Sequence, residues 1–339
     1  MAIRTKSFSA RRLAVLVLSV AVGVAFCASA ASAKPTSPSK TAADGQISIE
    51  GPFFGVQNSF FGVIQKGAQA AAKELGVKLV WTLAGQNFSI TAAADSMNTS
   101  LARKPSAWMV IDVNPSAMDP IIKKATAEGI AVIDINSGQN DTNRPYLFYI
   151  GQDEYVGGQA AGKKVWDSSN GALKHAACFN QVIGDKTLGL RCAGYKSALK
   201  AHGVTVDEVD VSGGPTQAYT KVLSYLTAHS DVGAVYALTA GPEAFDPIIK
   251  ALKKVGKAGG KIKFVANDLS SYALEQVKAG NALALIDQQQ YLQGYMAVTW
   301  AWLYLKYGLL PGGDILTGPG LVTSANVSKV TSLVAQGYR

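Results

Sequence analysis

Apolar positions along this chain follow two alternating rhythms. Short apolar runs bounded by turn residues fall at 46–51, 77–82, 107–112, 131–135 and 147–151, and between them lie helically spaced segments such as SITAAADSMNTSLAR and SAMDPIIKKATAEG. The stretch QISIEGPFFGVQNSFFGVIQKGAQAAAKELGVKLVW displays both. Ile47 and Ile49 alternate as in a half-buried strand, Val63, Ala68, Ala71, Ala72 and Leu75 approximate a helical repeat, and Gly76 ends it. A second set of strand-like runs follows near 174–179, 205–211, 233–238, 262–266 and 283–287, with helical segments near 186–202, 216–228, 242–255 and 270–279. Strict alternation predicts parallel sheets covered by helices, so the two sets predict an α/β protein of two doubly wound lobes.

Open parallel sheets gather ligands at the carboxyl ends of their strands. Polar residues follow the apolar runs there: VIDVN ends in Asn114, AVIDIN in Asn136 followed by Ser137, FVAND in Asn267 and Asp268, and ALALIDQ in Asp287 and Gln288. Turns favour Asn and Asp in any case, but four such junctions converge on one crevice. Before the first helix, Asn58 offers an amide and Phe60 and Phe61 offer flat apolar faces. A sugar ring needs both, because its edges are hydroxyls and its faces are C–H groups. Phe60 and Phe61 as plain core is the competing reading.

The chain has 339 residues, 48% hydrophobic, and a formal charge of +9. Arg4, Lys6, Arg11 and Arg12 precede LAVLVLSVAVGVAF and the small-residue stretch ASAASA, so residues 1–33 read as a secretory signal peptide cleaved after Ala33. Residues 34–45, KPTSPSKTAADG, read as a flexible linker. Export to the periplasm is expected; lipid anchoring outside the cytoplasmic membrane through Cys27, in VAFC, is the alternative. Losing the four basic residues of the signal reduces the charge from +9 to +5. The lysines of IIKKA, KALKK and AGKKV are spread over helices rather than interleaved with aromatics, so no nucleic-acid partner is expected.

Other chemistries find little support. GGQAAGKK, Gly157 to Lys164, nearly matches a phosphate-cradling loop, but Lys164 stands where a hydroxyl is required and the segment lies within a predicted helix, where small residues serve packing. His175, His202 and His229 are far apart in sequence, and neither HExxH nor GxSxG is present. Asp153 with Glu154, and Asp207 with Glu208, read as solvated charge at element margins. No catalytic, cofactor or metal role is expected. Cys178 and Cys192 remain after cleavage, and in an oxidising compartment a bridge would close a loop worth about 3 kcal/mol; two buried free thiols are the alternative.

NSFFGVIQKGAQAAAKELGV resembles the opening segment of the ribose-binding protein family, the extracytoplasmic sugar-binding components of ABC importers with type I periplasmic binding protein lobes. VIDVNPSAMDPIIKKA, IGQDEYVGGQAAGKKV and VANDLSSYALEQVKAGNALALIDQQQYLQGY continue the likeness in family order over residues 46–325. The resemblance implies two Rossmann-like lobes joined by a three-segment hinge, with crossings near Gln152, Gln288 to Gln290 and Thr317 to Leu321. It places 46–151 plus 291–316 in the N-terminal lobe and 152–288 plus 317–339 in the C-terminal lobe. Its ligand contacts would fall on Asn58, Phe60, Phe61 and Asn114 in the first lobe and on Arg191, Asp268 and Gln288 in the second, with Arg191 forking onto adjacent hydroxyls.

The chain departs from ribose binders where Asn136-Ser137 replaces Asp-Arg, where Gly213 and Asn267 replace aromatics, and around Thr239, where ALTAGPEAF is two residues longer. Ribose itself is therefore not implied; another monosaccharide or a polyol fits equally. A monomer delivering a small carbohydrate to an ABC importer permease is expected. The alternative is a ligand-presenting partner of a chemoreceptor, histidine kinase or quorum-signal uptake system. LacI-type repressors share the lobes but carry a DNA-reading helix-turn-helix before the first strand, where this chain has a signal peptide.

Overall fold

The computed structural model describes residues 45–83, 85, 89–138 and 144–339; the expected signal peptide, Cys27 and the linker as far as Asp44 lie outside them. The first lobe runs β1 (Ser48–Pro52), α1 (Ser59–Leu75), β2 (Lys78–Thr82), α2 (Ile90–Arg103), β3 (Ala107–Val110), α3 (Pro115–Ala127), β4 (Ala131–Ile135) and β5 (Tyr149–Gln152). The second runs α4 (Glu154–Ser168), β6 (His175–Asn180), α5 (Lys186–Lys200), β7 (Thr205–Asp210), α6 (Pro215–Ala228), β8 (Ala234–Ala237), α7 (Phe245–Lys254), β9 (Lys263–Asn267), α8 (Ser271–Lys278) and β10 (Ala284–Asp287). The chain then returns through α9 (Gln290–Tyr307) and β11 (Ile315–Gly318) to the first lobe, and ends in β12 (Gly320–Thr323) and α10 (Val327–Ala335) on the second.

Among the described residues the strands form two six-stranded sheets, ordered β11-β5-β4-β3-β1-β2 and β12-β10-β9-β8-β6-β7. Every pairing is parallel except β10 with β12. The two orders match strand for strand, so each lobe is doubly wound and its crevice opens at the carboxyl ends of the strands. All ten strand-like runs of the sequence appear. β11 and β12 do not follow from the sequence, because they are four-residue edge strands with Leu316 and Leu321 exposed and no apolar rhythm.

Alternate strand residues feed the two faces of each sheet. In β8, Val235 and Ala237 join Phe179, Phe245 and Phe264 on one side, while Ala234 and Tyr236 join Tyr195, Leu199 and Ile286 on the other. Cys178 and Cys192 are joined by a disulfide within that second cluster, tying β6 to α5.

Each lobe also contains one close helix pair built on glycines. A Cβ on Gly67 of α1 would collide with the Tyr291 carbonyl of α9, and one on Gly294 with the Ile64 carbonyl. In the second lobe Gly158 of α4 meets the Arg191 carbonyl of α5, and Gly194 meets that of Tyr155. The GGQAAGKK stretch is thus a helix-crossing surface. Among the described residues no helix is long and apolar enough to cross a membrane.

Candidate functional site

Three crossings join the lobes, at Gln152–Asp153, Gln288–Gln289 and Gly318–Gly320, and buried amides tie them together. Gln152 donates to Glu154 Oε2 at 2.7 Å and to Asn267 Oδ1 at 3.4 Å. Asn267 donates to Asp268 at 3.0 Å, and Gln288 donates to the same Asp268 oxygen. Asn136 of the first lobe reaches Gln288 Oε1 at 3.2 Å and Gln293 Oε1 at 3.3 Å. Gln293 in turn donates to Thr317 Oγ1 at 3.3 Å, and Thr317 donates to the Gln288 carbonyl at 2.7 Å. The chain of bonds runs through Gln152 and Gln288 of the first two crossings and ends at Thr317, just before the third, and its members are almost wholly withdrawn from water. Buried polar groups left unpaired cost about 1–3 kcal/mol each, so this hub stands only while its partners are in place.

Asn136 and Asp268 occupy equivalent places, just past β4 and just past β9, and both take left-handed backbone, with φ of 65° and 72°. Asn and Asp tolerate that region better than other side chains. The turn sends Asn136 towards the second lobe's Gln288 and leaves Asp268 to gather the amides of Asn267 and Gln288. Next to Asn136, Ser137 meets Thr187 of α5 at 3.0 Å across the cleft. A small pocket there is lined by Asp112, Ser137 and Tyr149 from the first lobe and Glu154, Lys186 and Thr187 from the second.

Arg191 stands beside this hub in an arrangement different from the expected one. Its Nε and Nη2 donate to the two oxygens of Glu154 at 2.6 and 2.9 Å, and Nη1 donates to the Leu238 carbonyl at 2.8 Å. Asp268 Oδ2 lies 4.0 Å from Nη1. Burial works against the guanidinium charge, but Glu154 and then Asp268 outweigh it and raise the Arg191 pKa. The fork assigned to sugar hydroxyls is therefore turned onto Glu154. Glu154 also corrects the sequence reading directly: it is 2% exposed, not a solvated margin charge.

The remaining expected contacts lie apart from the hub. Asn58 is exposed and caps α1, its side-chain oxygen accepting from the Phe61 N–H at 3.1 Å. Phe61 is 5% exposed in the first lobe's core, with Phe60 half-buried against it in an edge-on contact at 5.2 Å. Asn114 caps α3 by accepting from Ala117 N–H at 3.1 Å. Thr239 follows β8 and accepts from Gln181 at 3.2 Å. All sit at or beyond the carboxyl ends of strands. The sequence reading named Gln152 and Thr317 only as crossings and missed Glu154 and Gln293; Gln290 and Gln293, three apart on an otherwise packed helix, were the legible signal.

Near Gly138 lies a buried acid. Asp134 Oδ1 accepts from the Asp112 N–H at 3.0 Å, and burial, then the neighbouring Asp112 carboxylate, raise the Asp134 pKa well above the ordinary carboxylate range. Both effects favour its neutral form. Asp287, by contrast, pairs with Arg339 and accepts from the Gln289 N–H at 2.9 Å.

Two lobes with matched topology, three crossings and a polar cleft between them are the architecture of a bilobal solute-binding protein. The periplasmic binding protein domain model matches residues 54–309, and the chain belongs to that family. It is 30% identical to a carbohydrate transporter from Acidothermus cellulolyticus solved with myo-inositol, covering 87% of this chain and all of that one, with a TM-score of 0.75. It is 27% identical over 282 residues to a xylose/arabinose-binding protein of Sulfolobus acidocaldarius, covering 80% of this chain and 69% of the relative. A ribose import binding protein of Haemophilus influenzae is 26% identical over 255 residues, covering 74% of this chain and 83% of the relative.

Proposed function

We propose that this protein is exported, closes its lobes as a monomer on a small neutral carbohydrate, a monosaccharide or polyol, and delivers the closed complex to an ABC importer. The observation that carries the reading is the Asn136–Gln288–Asp268 relay at the hinge face of the cleft. It offers amide donors, amide acceptors and a carboxylate within one hydrogen-bonded group, which is what a ring of hydroxyls needs, since each hydroxyl both gives and takes. Arg191 is already neutralised by Glu154, so among the described residues lining the pocket Lys186 is the one basic group an anionic ligand meets. That favours neutral ligands.

In this reading opening parts Ser137 from Thr187 and Asn136 from Gln288, and sugar hydroxyls take the places these side chains give one another in the closed state. Asn58 would add its amide N–H2, its oxygen being committed to the helix cap, with Phe60 and Phe61 as the apolar wall. Asn114, Thr239 and Asn267 complete the candidate set. Arg191 acts as a positioning residue for Asp268. The named relatives bind xylose, arabinose or ribose by their names, and the solved neighbour holds myo-inositol, all neutral polyhydroxy compounds.

A thermal-shift panel tests the class. Ligand at 100 times its dissociation constant adds about 2.7 kcal/mol of stability. Myo-inositol, pentoses, hexoses and linear polyols are compared with amino acids and sugar phosphates. A neutral carbohydrate should give the largest rise in Tm; an amino acid or sugar phosphate giving it would overturn the substrate class.

A further inference from the structure

The opposite edge of the second lobe carries a cluster that carbohydrate binding does not use. His175 opens β6, His229 follows the end of α6, and Asp231 lies in the connection to β8. The fold brings together histidines 54 positions apart, their rings 5.7 Å apart between centroids. His175, His229 and Asp231 can each present one ligand atom, all within 4.8 Å of one another.

The surroundings of His175 are what a metal ligand requires. A metal-bound imidazole normally donates its second N–H to a carboxylate, which fixes the ring and strengthens the ligating nitrogen. Here Nε2 lies 3.0 Å from Asp207 Oδ2, and that oxygen also accepts from the Tyr225 hydroxyl at 2.6 Å. Tyr225 is itself held by stacking on His229 at 4.4 Å. The other nitrogen, Nδ1, faces Asp231 Oδ2 at 2.9 Å.

We propose that His175 Nδ1, His229 and Asp231 form a Zn2+ site, with Asp207 and Tyr225 as its supporting shell. Two nitrogens and one carboxylate oxygen are a donor set that suits zinc, and three protein ligands leave a fourth position for water. Zn–N and Zn–O bonds of about 2.0–2.2 Å place neighbouring ligand atoms about 3.3 Å apart, so His229 and Asp231 need only modest rotamer adjustment about the fixed His175. Asp231 is exposed and His229 half-buried, with His229 stacked on Tyr225. Without metal, the two ring nitrogens of His175 face Asp207 and Asp231 at 3.0 and 2.9 Å. Burial lowers the His175 pKa, but those hydrogen bonds outweigh it and raise it. Zinc on Nδ1 would staple β6 to the end of α6. The site lies at the amino end of β6, five residue steps or about 17 Å from its cleft end.

The test is calorimetric titration of the untagged chain with ZnCl2 near pH 7.5, backed by the absorption spectrum of Co2+. One ion per chain and a tetrahedral Co2+ spectrum are expected. His229→Gln and Asp231→Asn should each weaken binding at least 10-fold, and Asp207→Asn about 10- to 100-fold. His202→Gln, which alters a ring stacked on Trp166 elsewhere, should leave binding unchanged. Metal-free melting curves of each variant separate lost ligation from lost fold. No binding by the wild-type chain, or an unchanged affinity in both His229→Gln and Asp231→Asn, would overturn the proposal. Carbohydrate affinity should be the same with and without Zn2+, so the site and the cleft reading stand or fall separately.

Discussion

Arg191 clasps both carboxylate oxygens of Glu154, 37 residues away, with the two side chains sealed from solvent. Removing one partner of a buried ion pair leaves the other charged and unmatched, which costs about 3–5 kcal/mol. Arg191→Met should therefore lower the urea midpoint sharply. Adding Glu154→Gln should recover much of the loss, because no lone charge then remains. An Arg191→Met protein of wild-type stability that had lost all sugar affinity would instead make the arginine a direct ligand.

The glycines of the α4–α5 crossing lead to a second expectation. Gly158→Ala forces a methyl into the Arg191 carbonyl, where backbone must move, so a loss of about 1–3 kcal/mol is expected. Gly189→Ala, on α5 with open space around it, should instead be neutral or gain up to about 1 kcal/mol in helix propensity. Chemical denaturation of the two variants checks the contrast; equal effects would contradict it.

Asp134 gives a pH signature. Its folded pKa is raised, so below about pH 4 both folded and unfolded chains hold the proton and nothing is lost. As pH rises the unfolded carboxyl ionises first, and stability falls until the folded pKa is passed. Asp134→Asn removes this slope. Its stability relative to wild type should grow between pH 4.5 and pH 7, measured by urea unfolding at both values; a difference independent of pH would contradict the burial account.

The disulfide between Cys178 and Cys192 closes a short loop from β6 to α5. The Cys178→Ala/Cys192→Ala protein should lose about 3 kcal/mol, and the wild type under full reduction should lose a similar amount. Thermal melts with and without reductant measure both. A melting temperature insensitive to reductant would mean that the bridge adds nothing to the fold.

Most of the strands β1 to β10 were legible because they are short apolar runs between turn residues, the pattern that burial on both faces of a parallel sheet imposes; the edge strands β2 and β7 are only partly buried, and β7, TVDEVD, shows through Val206 and Val209 alone. β11 and β12 were not, since a four-residue edge strand with outward Leu316 or Leu321 carries no such pattern. Site chemistry was harder to read. Strand ends pointed to Asn136, Asn267, Asp268 and Gln288, which the fold gathers at one place. No local pattern, however, pairs Glu154 with Arg191 or brings His175 to His229. Those contacts exist only once α4 crosses α5 and α6 returns beside β6. At Asn58 the same side chain serves as helix cap and as candidate ligand, and NSFF alone could not say which demand its oxygen meets.

A carbohydrate held by the relay between Asn136 and Gln288 loses affinity when either side chain is removed. Calorimetric titration of Asn136→Ala and Gln288→Ala with whichever carbohydrate gives the largest thermal shift tests this most directly. Losing one buried hydrogen-bonded partner costs about 1–3 kcal/mol, so affinity should fall about 5- to 150-fold in each variant. Wild-type affinity in both would place the ligand elsewhere and contradict the assignment.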